Sequence, residues 1–449
     1  FIRDHPMSRR RRKKLPQHPI ELRIDDLSHD GRGVATHEEK RVFVRGALPG
    51  ERVLARITGC KRRYDEGEAV EIVEASPHRV TPGCPHFGAC GGCSLQHLDS
   101  ARQIESKHHT LQQNLARIGK VTPEAWWEPL AGPAWGYRRK ARLSVRYVQA
   151  KGRVLVGFRE TYGRFVADMQ ECHVLDPRVA GHLEQLSALV HDLQARQTIP
   201  QIEVACGDQL CALVFRHLEP LGDSDLEKLK AFARTSGLAV MLQSAGPDSI
   251  VALEPEAVEL SFGLPEYGLD LAFGPSDFVQ VNALMNQRMI ARALELLEPA
   301  ANHRVLDLFC GLGNFTLPIA ARAGRVVGVE GDPVLVGKAS ANAVRNGVTN
   351  AHFHVADLAA EPGAAPWLRG GYDSVLIDPP RSGAEFILPH VAASGARRIV
   401  YVSCHPASLA RDAAILVEQF GFRLLGAGVM DMFPHTGHVE SIALFERER

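Results

Sequence analysis

The sequence predicts an α/β protein with a doubly wound parallel sheet in its C-terminal part, an OB-like β-barrel near its N-terminus and a β-rich α+β region between them. Three observations predict this architecture. Short apolar runs separated by turn residues occupy 20–76, basic and aromatic residues share predicted strands at 135–159, and strands alternate with helices from residue 304 onward. The predicted divisions are a basic disordered tail (1–14), the barrel (15–76), a central domain (77–273) and the α/β domain (274–449).

The composition is that of a globular protein with two or three domains. The chain has 449 residues, of which 45% are hydrophobic and 23% charged, and no apolar run approaches the ~18 residues of a membrane span. The basic run at 9–14 is followed by no apolar segment, so it is not a secretory signal. Because the sequence begins with Phe1, translation is expected to start at Met7 or upstream of Phe1. We expect a cytoplasmic monomer without a membrane partner.

The net charge of zero conceals an uneven distribution of charge. Residues 1–80 contain 18 Lys and Arg against 13 Asp and Glu, and residues 121–160 contain 8 against 3. Basic surface is therefore concentrated in the first half of the chain, which suits a polyanionic partner. Solvated surface loops would produce the same pattern, and charge alone does not decide between the two.

Four short apolar runs predict the strands of the barrel, at 21–24, 41–44, 53–57 and 69–73. Turn signals separate them, including Asp30-Gly31-Arg32-Gly33 and Pro49-Gly50. The tetrapeptide Lys61-Arg62-Arg63-Tyr64 mixes basic and aromatic side chains, as RNA-binding surfaces do. An ordinary charged hairpin would also contain such a sequence.

The cysteines indicate a metal centre rather than a disulfide framework, because they are nine in number and clustered. Cys84, Cys90 and Cys93 form a C-x5-C-x2-C arrangement, in which intervening glycines keep the turn open. A fourth ligand is needed, and Cys172 is the best candidate among the remaining cysteines. Three local thiolates and one distant thiolate suit a [4Fe–4S] cluster.

Zinc is the alternative metal at this centre. Three cysteines with one histidine, His86 or His97, would form a Cys3His zinc site. The spacing also differs from the C-x3-C-x2-C pattern of radical S-adenosylmethionine enzymes, so we assign no radical chemistry to the cluster.

The central region contains a helix and basic strands. Residues 99–118 predict an amphipathic helix with Ile104, Leu111, Leu115 and Ile118 on one face, which we interpret as core packing. The following segment, 135–159, places basic and aromatic residues together on strands, which suits phosphate contact and base stacking. A solvated sheet face is the alternative. Residues 180–270 carry no chemical signature.

A glycine-rich turn at 305–316 lies between an apolar strand and a predicted helix. Gly311 and Gly313 let the backbone approach a bound nucleotide, and the helix N-terminus offers free N–H groups. A second strand ends at Glu330, where nucleotide-binding α/β folds place the acceptor for the ribose hydroxyls. The third glycine of the dinucleotide fingerprint is absent, since Asn314 and its neighbours stand there. The pattern therefore favours S-adenosylmethionine (SAM) over NAD.

Further chemistry-bearing residues follow the later strands of the same predicted sheet. Asp357 follows the third strand, where a carboxylate can receive the adenine amino group, and Asp378 follows the fourth, beside two prolines that fix the backbone. Cys404 follows the fifth. Since carboxyl ends of parallel strands share one edge, we expect these residues to lie near each other. The predicted strands are 304–308, 325–330, 352–355, 373–377, 398–402, 422–428 and 440–445.

Cys404 is the candidate nucleophile. C5 of a pyrimidine reacts poorly with a sulfonium methyl group, but a thiolate that adds to C6 gives C5 carbanion character. A base must then remove the C5 proton so that the thiolate can leave. Glu440 is the candidate base, with His435 and His438 as alternatives.

These motifs together resemble the bacterial RNA uracil-5-methyltransferases, over nearly everything after residue 15. Within that family the pattern is most similar to members that modify 23S ribosomal RNA and carry both an N-terminal TRAM barrel and an iron–sulfur cluster. The tRNA relatives lack the cluster cysteines, and another ribosomal relative lacks the barrel. The motifs are the cysteine-rich decapeptide at 84–93, Phe278-x-Gln280-x-Asn282, Asp307-Leu308-Phe309-Cys310-Gly311-x-Gly313, Asp378-Pro379-Pro380-Arg381, Ser403-Cys404 and the segment 431–440.

The resemblance implies a role for each motif. It implies that Cys404 is the nucleophile and that Glu440 abstracts the proton. It implies a [4Fe–4S] cluster held by Cys84, Cys90, Cys93 and Cys172. It implies a pocket for SAM and the reacting base lined by Gln280, Phe309, Asn314, Glu330, Asp357 and Asp378. Asp357 departs from the family pattern, which has an amide at this position.

The predicted function is SAM-dependent methylation of C5 of a uridine in 23S rRNA, through a covalent adduct between Cys404 and C6. Methylation of a tRNA uridine is the alternative within the family. Methylation of an amino group also uses an acid-Pro-Pro motif but needs no thiolate. An iron–sulfur RNA-binding factor with an inert methyltransferase domain is the alternative outside enzymes.

Overall fold

The computed structural model describes residues 15–360, 363, 365–369 and 371–448. The predicted basic tail, 1–14, lies outside these residues. Across the described residues, every helix is too short or too polar to cross a bilayer.

The N-terminal part is a six-stranded sheet that encloses a small core. Alternate residues of the fifth strand, Val53, Ala55 and Ile57, point into this core, as the period of two in a strand requires. The strand order is β1-β5-β6-β4-β3-β2, which agrees with the predicted barrel. The strands are β1 (Ile20–Arg23), β2 (Asp26–Leu27), β3 (Gly33–His37), β4 (Lys40–Arg45), β5 (Arg52–Cys60) and β6 (Tyr64–Glu74).

Helix α1 (Ser100–Asn114) confirms the predicted amphipathic helix. Asp99 caps it by accepting from the N–H groups of the first turn. The helix continues as a wider π-helical turn, Leu115–Gly119. This turn rotates the following residues off the apolar face, so Ile118 is exposed although the helical pattern predicts it to be buried.

Helix α1 and the short strand β7 (Ala125–Trp126) pack on the C-terminal sheet, although they lie within the stretch predicted as the central domain. Strand β7 pairs in parallel with the strand that contains Gly426 and Ala427. Leu111 of α1 is fully buried in the core below that sheet. This segment therefore packs with the C-terminal sheet, although its neighbours in the sequence belong to the central sheet.

The central part is a second six-stranded sheet, in the order β13-β12-β11-β10-β8-β9, with helices on one face. Cys206 and Cys211 are paired across the β10–β11 hairpin and form a disulfide, a pairing that the sequence pattern does not predict. Its elements are β8 (Lys140–Val148), β9 (Arg153–Gly157), α2 (Pro177–Ala180), α3 (Leu183–Asp192), β10 (Gln201–Cys206), β11 (Cys211–Arg216), α4 (Asp223–Ser236), β12 (Ala239–Gln243) and β13 (Ile250–Glu254). A hairpin of β14 (Leu260–Leu264) and β15 (Leu269–Phe273) follows.

The C-terminal part is a doubly wound sheet in the order β18-β17-β16-β19-β20-β22-β21-β7. Its first five strands are parallel, and β22 joins β20 in antiparallel fashion. All seven predicted strands are confirmed, with ends within two residues. The elements are α5 (Ala283–Leu297), β16 (Arg304–Leu308), α6 (Thr316–Ala320), β17 (Arg325–Glu330), α7 (Pro333–Arg345), β18 (Ala351–Val355), β19 (Ser374–Ile377), α8 (Leu388–Ala393), β20 (Arg398–Ser403), α9 (Pro406–Glu418), β21 (Arg423–Met430) and β22 (Glu440–Glu446).

Candidate active site and cysteine cavity

Strand register brings Cys404 and Glu440 together. In the antiparallel pair β20–β22, Ser403 lies opposite Ser441. Cys404 directly follows β20, and Glu440 is the first residue of β22, directly before Ser441. The two residues therefore lie at adjoining ends of neighbouring strands, close enough for the charge of Glu440 to affect the thiol. Two residues that are distant in the chain thus meet at the carboxyl edge of the sheet.

The Cys404 thiol is half-buried near two acidic side chains, Glu440 and Asp378. Burial raises its pKa to about 11, with Glu440 and Asp378 adding to the rise and Arg381 opposing it. The thiol is therefore protonated at neutral pH in this structure. Cys404 directly precedes helix α9, whose positive N-terminal dipole favours a thiolate once a substrate arrives.

Two acidic side chains beside Cys404 hold their protons unusually well. Burial raises the pKa of Glu440 to about 8, and the charge of Asp378 contributes, while Arg381 and Lys107 oppose the shift. Burial also raises the pKa of Asp378 to about 7. Carboxyl groups with pKa values near neutrality are suited to exchange protons with a substrate.

The segment 431–440, which leads to Glu440, is held from outside its own domain. Lys107 Nζ of α1 donates to Asp431 Oδ1 at 2.6 Å and to the Phe433 carbonyl at 2.9 Å. His435 is buried, and its N–H donates to Gln103 Oε1 of the same helix at 2.9 Å. The path of this segment therefore depends on helix α1.

The two histidines considered as alternative bases differ in position. The ring of His435 stacks on Trp135 at 4.1 Å, and burial lowers its pKa to about 4. His438 lines the cavity that contains Cys404, and its Nδ1 lies 3.1 Å from a guanidinium nitrogen of Arg381. Of the two, His438 is the one that faces the nucleophile.

Cys404 opens into a cavity of about 620 Å³ built by all three parts of the chain. The barrel contributes the turn with His29 and Asp30, and this turn packs directly on Gly437. Two arginines, Arg138 of the central part and Arg381 of the C-terminal part, also line it. A cavity of this size with two cationic walls is suited to a nucleotide.

The glycine loop, residues 309–314, follows β16 with an unusual backbone. Phe309 has φ 63°, a left-handed conformation that is costly for a residue with a side chain. Gly311 and Gly313 also have positive φ, at 55° and 94°. A side chain at Gly311 would meet nothing within 4 Å, so open space borders the loop there. Glu330 accepts from Gly311 N–H at 3.1 Å, which joins the ends of β16 and β17.

Two hydrogen-bonded pairs of polar side chains lie beside this loop, and the sequence predicts neither pair. Asn286 of α5 and Asn314 exchange two amide hydrogen bonds of 2.9 Å. Asp307, which the sequence places at a strand end, lies inside β16 and is fully buried, where Thr316 donates to one oxygen and burial raises its pKa to about 8. No local pattern signals the asparagine pair, because it joins a helix to a loop.

Two other residues expected at a donor pocket, Gln280 and Asp357, lie in loops. Gln280 is half-buried in the loop that precedes α5. Lys140 of the central sheet fixes this loop by donating to the carbonyls of Pro275 and Asp277, at 2.5 and 2.8 Å. Asp357 is exposed, and its carboxylate accepts from the N–H of Ala359 at 2.9 Å.

The four cysteines expected to hold a metal line a single cavity of about 240 Å³, with Phe87, Phe158 and Met169 among its apolar walls. Burial raises the pKa of the Cys90 thiol. It also raises the pKa of Cys93 to about 11 and that of Cys172 to about 12. Such thiols are stable as thiolates only next to a cation. The N–H of Gly92 points at Cys90 Sγ, at 3.4 Å, as a donor to a ligating sulfur does.

The four sulfur atoms do not form a compact group in this structure. Around a single tetrahedral zinc ion, thiolate sulfurs lie about 3.8 Å apart, given Zn–S bonds of about 2.3 Å. Within the described part of the chain, no three of the four cysteine sulfurs come within 4.8 Å of one another. Thiolates on the separate irons of a cluster stand further apart. His86 lines the cysteine cavity, whereas His97 lines a neighbouring one. Four cysteines that line one cavity are a donor set that suits a thiolate-bound metal centre.

Comparison with known proteins places this geometry in a family. The family model described as tRNA (Uracil-5-)-methyltransferase matches residues 99–364 and 369–448. The chain belongs to the tRNA (uracil-5-)-methyltransferase family. A TRAM domain model also matches residues 19–70, the six-stranded barrel of this family member. The resemblance to RNA uracil-5-methyltransferases drawn from the sequence is confirmed.

Two relatives that match this chain over nearly its whole length carry the same name. The protein named 23S rRNA (uracil(1939)-C(5))-methyltransferase RlmD from Alkalilimnicola ehrlichii is 55% identical over 441 residues, covering 98% of this chain and 99% of the relative. The protein of the same name from Stenotrophomonas maltophilia is 53% identical over the same lengths. The solved Pyrococcus abyssi tRNA (uracil-54, C5)-methyltransferase in complex with S-adenosyl-L-homocysteine shares the fold, with TM-score 0.72, 24% identity and coverage of 95% and 99% of the two chains.

Proposed function

We propose that this methyltransferase transfers a methyl group from SAM to C5 of a uridine in 23S rRNA. The observation that carries the proposal is the proximity of Cys404, which follows β20, to Glu440, which begins the neighbouring strand β22 and interacts electrostatically with the thiol. The names of the full-length relatives support the choice of 23S rRNA. Ribosomal RNA as substrate places the enzyme in the cytoplasm, and we infer that it acts as a monomer.

Cys404 provides the nucleophile. Its thiolate adds to C6 of the uridine, forming a C6–S bond and moving the electron pair of the C5=C6 bond towards C5 and the O4 carbonyl. SAM supplies the methyl group as a sulfonium electrophile. C5 takes that methyl group with its new electron pair, and S-adenosylhomocysteine leaves. The thiol is neutral in the resting site, so RNA binding must accompany loss of its proton.

Glu440 completes the reaction by taking the proton from C5. The electron pair of that C–H bond re-forms C5=C6, the C6–S bond breaks, and Cys404 departs as a thiolate. Glu440 is buried beside Cys404, and this proximity supports its role as the base that acts on the ring bound by Cys404. His438 lies in the same cavity, and we assign to it contact with Arg381 rather than proton removal.

The donor site is proposed at the neighbouring strand ends. Glu330 would accept from the ribose hydroxyls, since its carboxylate stands beside the glycine loop. Its partners in the pocket would be Gln280, Phe309, Asn314, Asp357 and Asp378. The open space beside Gly311 and the left-handed turn at Phe309 support a bound nucleoside at this loop.

The target uridine must leave its stack to reach Cys404, which costs roughly a few kcal/mol and least in a loop or single strand. Arginines of the cavity offer contacts to phosphates of such a strand. The barrel turn at His29 and the central residue Arg138 would therefore touch the RNA near its reacting base. This arrangement supports RNA recognition by all three parts of the chain.

We propose that Cys84, Cys90, Cys93 and Cys172 hold a [4Fe–4S] cluster. Their common cavity and the N–H group of Gly92 that donates to Cys90 Sγ support it. Transfer of a methyl cation equivalent moves electron pairs only and requires no redox centre. We therefore assign the cluster a structural role in holding the loop 84–93 next to the Cys404 cavity.

The decisive experiment combines a gene deletion with mapping of 5-methyluridine across rRNA and tRNA. Loss of one 5-methyluridine from 23S rRNA is expected, and restoration by the wild-type gene but not by Cys404→Ala. Loss from tRNA alone would overturn the substrate assignment. Full activity of Cys404→Ala would overturn the mechanism in favour of amino-group methylation. Purified protein that binds RNA but transfers no methyl group would instead indicate an inert binding factor.

A further inference from the structure

Lys107 connects helix α1 to the segment that ends at Glu440. We propose that Lys107 is a positioning residue of the reaction, whose ammonium fixes the segment 431–440 and favours the negatively charged form of Glu440. The inference rests on the proposed function, in which Glu440 removes the C5 proton. The Lys107 ammonium is bound to Asp431 and to the carbonyl of Phe433, so it acts through the segment 431–440 rather than on the substrate.

The Lys107 ammonium is buried and makes two hydrogen bonds inside the protein. Its side chain is 3% exposed and that of Asp431 is 8% exposed, with 2.6 Å between Nζ and Oδ1. A second bond, to the carbonyl of Phe433, fixes the next turn of the segment. A buried lysine destabilises a protein unless it is paired, and Asp431 supplies the partner here. Burial lowers the pKa of Lys107, while the carboxylates of Asp431 and Glu440 oppose that shift.

The charges around Glu440 make Lys107 important. Burial and the charge of Asp378 disfavour a negative charge on Glu440, and the cations Arg381 and Lys107 favour it. Arg381 is exposed, so water screens its effect, whereas Lys107 acts through protein. The ionisable groups around Glu440 are Asp378 after β19, Arg381 in the following loop, Cys404 after β20, Lys107 on α1 and Asp431 at the end of β21.

This arrangement affects one step of the reaction. Proton removal from C5 requires the carboxylate form of Glu440, so decay of the methylated adduct slows as pH falls through the pKa of Glu440. Loss of the Lys107 charge makes the carboxylate less stable and moves this decline to higher pH. Formation of the C6–S bond precedes the step and needs no base at Glu440, so the adduct should accumulate.

The test measures decay of the covalent adduct with full-length protein, SAM and unmodified 23S rRNA. The adduct is formed at pH 7, transferred to buffers between pH 5.5 and 9, and followed on denaturing gels. Lys107→Gln keeps a hydrogen-bond donor but removes the charge, and it should slow decay about tenfold at neutral pH, equivalent to a shift of about one pH unit. Lys107→Arg keeps the charge and should retain the wild-type profile. Arg102→Gln, which removes a charge from the exposed face of the same helix, is the matched control.

A double-mutant cycle separates action through Glu440 from general damage. Glu440→Gln should reduce decay to a slow residual rate that does not depend on pH, and adding Lys107→Gln to it should slow this residual rate no further. An additional slowing in the double variant would overturn the inference, as would a wild-type profile in Lys107→Gln. If Lys107→Gln fails to fold, Lys107→Arg decides: slow, shifted decay in that variant contradicts a role for the charge. Failure of the wild-type protein to form any adduct would instead refute the proposed function.

Discussion

Replacement of Gly437 by alanine tests whether the barrel and the catalytic edge work as one surface. A methyl group at this position would lie 2.4 Å from the carbonyl oxygen of His29, whereas ordinary contacts begin at 3.4 Å. The obstructing atom is backbone, so the barrel turn and the segment 431–440 must separate by about 1 Å. A displacement of 1 Å in a reacting geometry costs about 100-fold in rate, or about 2.7 kcal/mol of activation free energy.

The assay is single-turnover transfer of labelled methyl groups to unmodified 23S rRNA, with enzyme in excess. Gly437→Ala should reduce the rate about 100-fold while circular dichroism remains that of the folded protein. Gly181→Ala is the matched control, because a methyl group there meets nothing within 4 Å. Equal rates for the two variants would show that the barrel does not shape the site, and the reasoning from the cavity would be wrong.

Three further predictions concern the thiol, the cluster and the core. The rate at which iodoacetamide alkylates Cys404 in the free protein, followed by mass spectrometry, should still increase with pH beyond pH 9, because the pKa of the thiol is raised to about 11. Glu440→Gln should increase this rate at pH 8. An alkylation rate that reaches a plateau below pH 8 would contradict the raised pKa. Cys93→Ser should lose the visible absorption of an iron–sulfur cluster, whereas a colourless wild-type protein that contains zinc would refute the cluster. Leu111→Ala should lower the free energy of unfolding in urea by about 2–5 kcal/mol and Ile118→Ala by less than about 0.5 kcal/mol, because their exposures are 0% and 49%; equal losses would contradict the packing of α1.

Local sequence pattern is sufficient to predict the C-terminal sheet. Strands such as β19 and β20 are buried on both faces and therefore appear as short, continuous apolar runs. The residues that follow such runs fall at one edge by the geometry of parallel strands alone. This is why the amino-acid sequence alone is enough to place Glu330, Asp378 and Cys404 near each other.

Contacts between distant segments escape the same reasoning. Lys107 and Asp431 are 324 positions apart, and nothing in the pattern of either segment indicates its partner. The pairing of Cys206 with Cys211 depends on a hairpin whose turn chemistry is weak in the sequence. The burial of Asp307 is another example, because the sequence around a single aspartate does not show whether its side chain is buried or exposed.

The eighth strand of the C-terminal sheet has a consequence for how the protein is made. Strand β7 and helix α1 leave the ribosome about 300 residues before β21, the strand they cover. At about 5–20 residues per second, the apolar face of α1 waits on the order of 15–60 s for its partner. Over that interval Leu111 and Leu115 are available to chaperones and to other nascent chains. Biogenesis of this enzyme therefore depends on protection of an early helix until the last 25 or so residues of the chain have been synthesised.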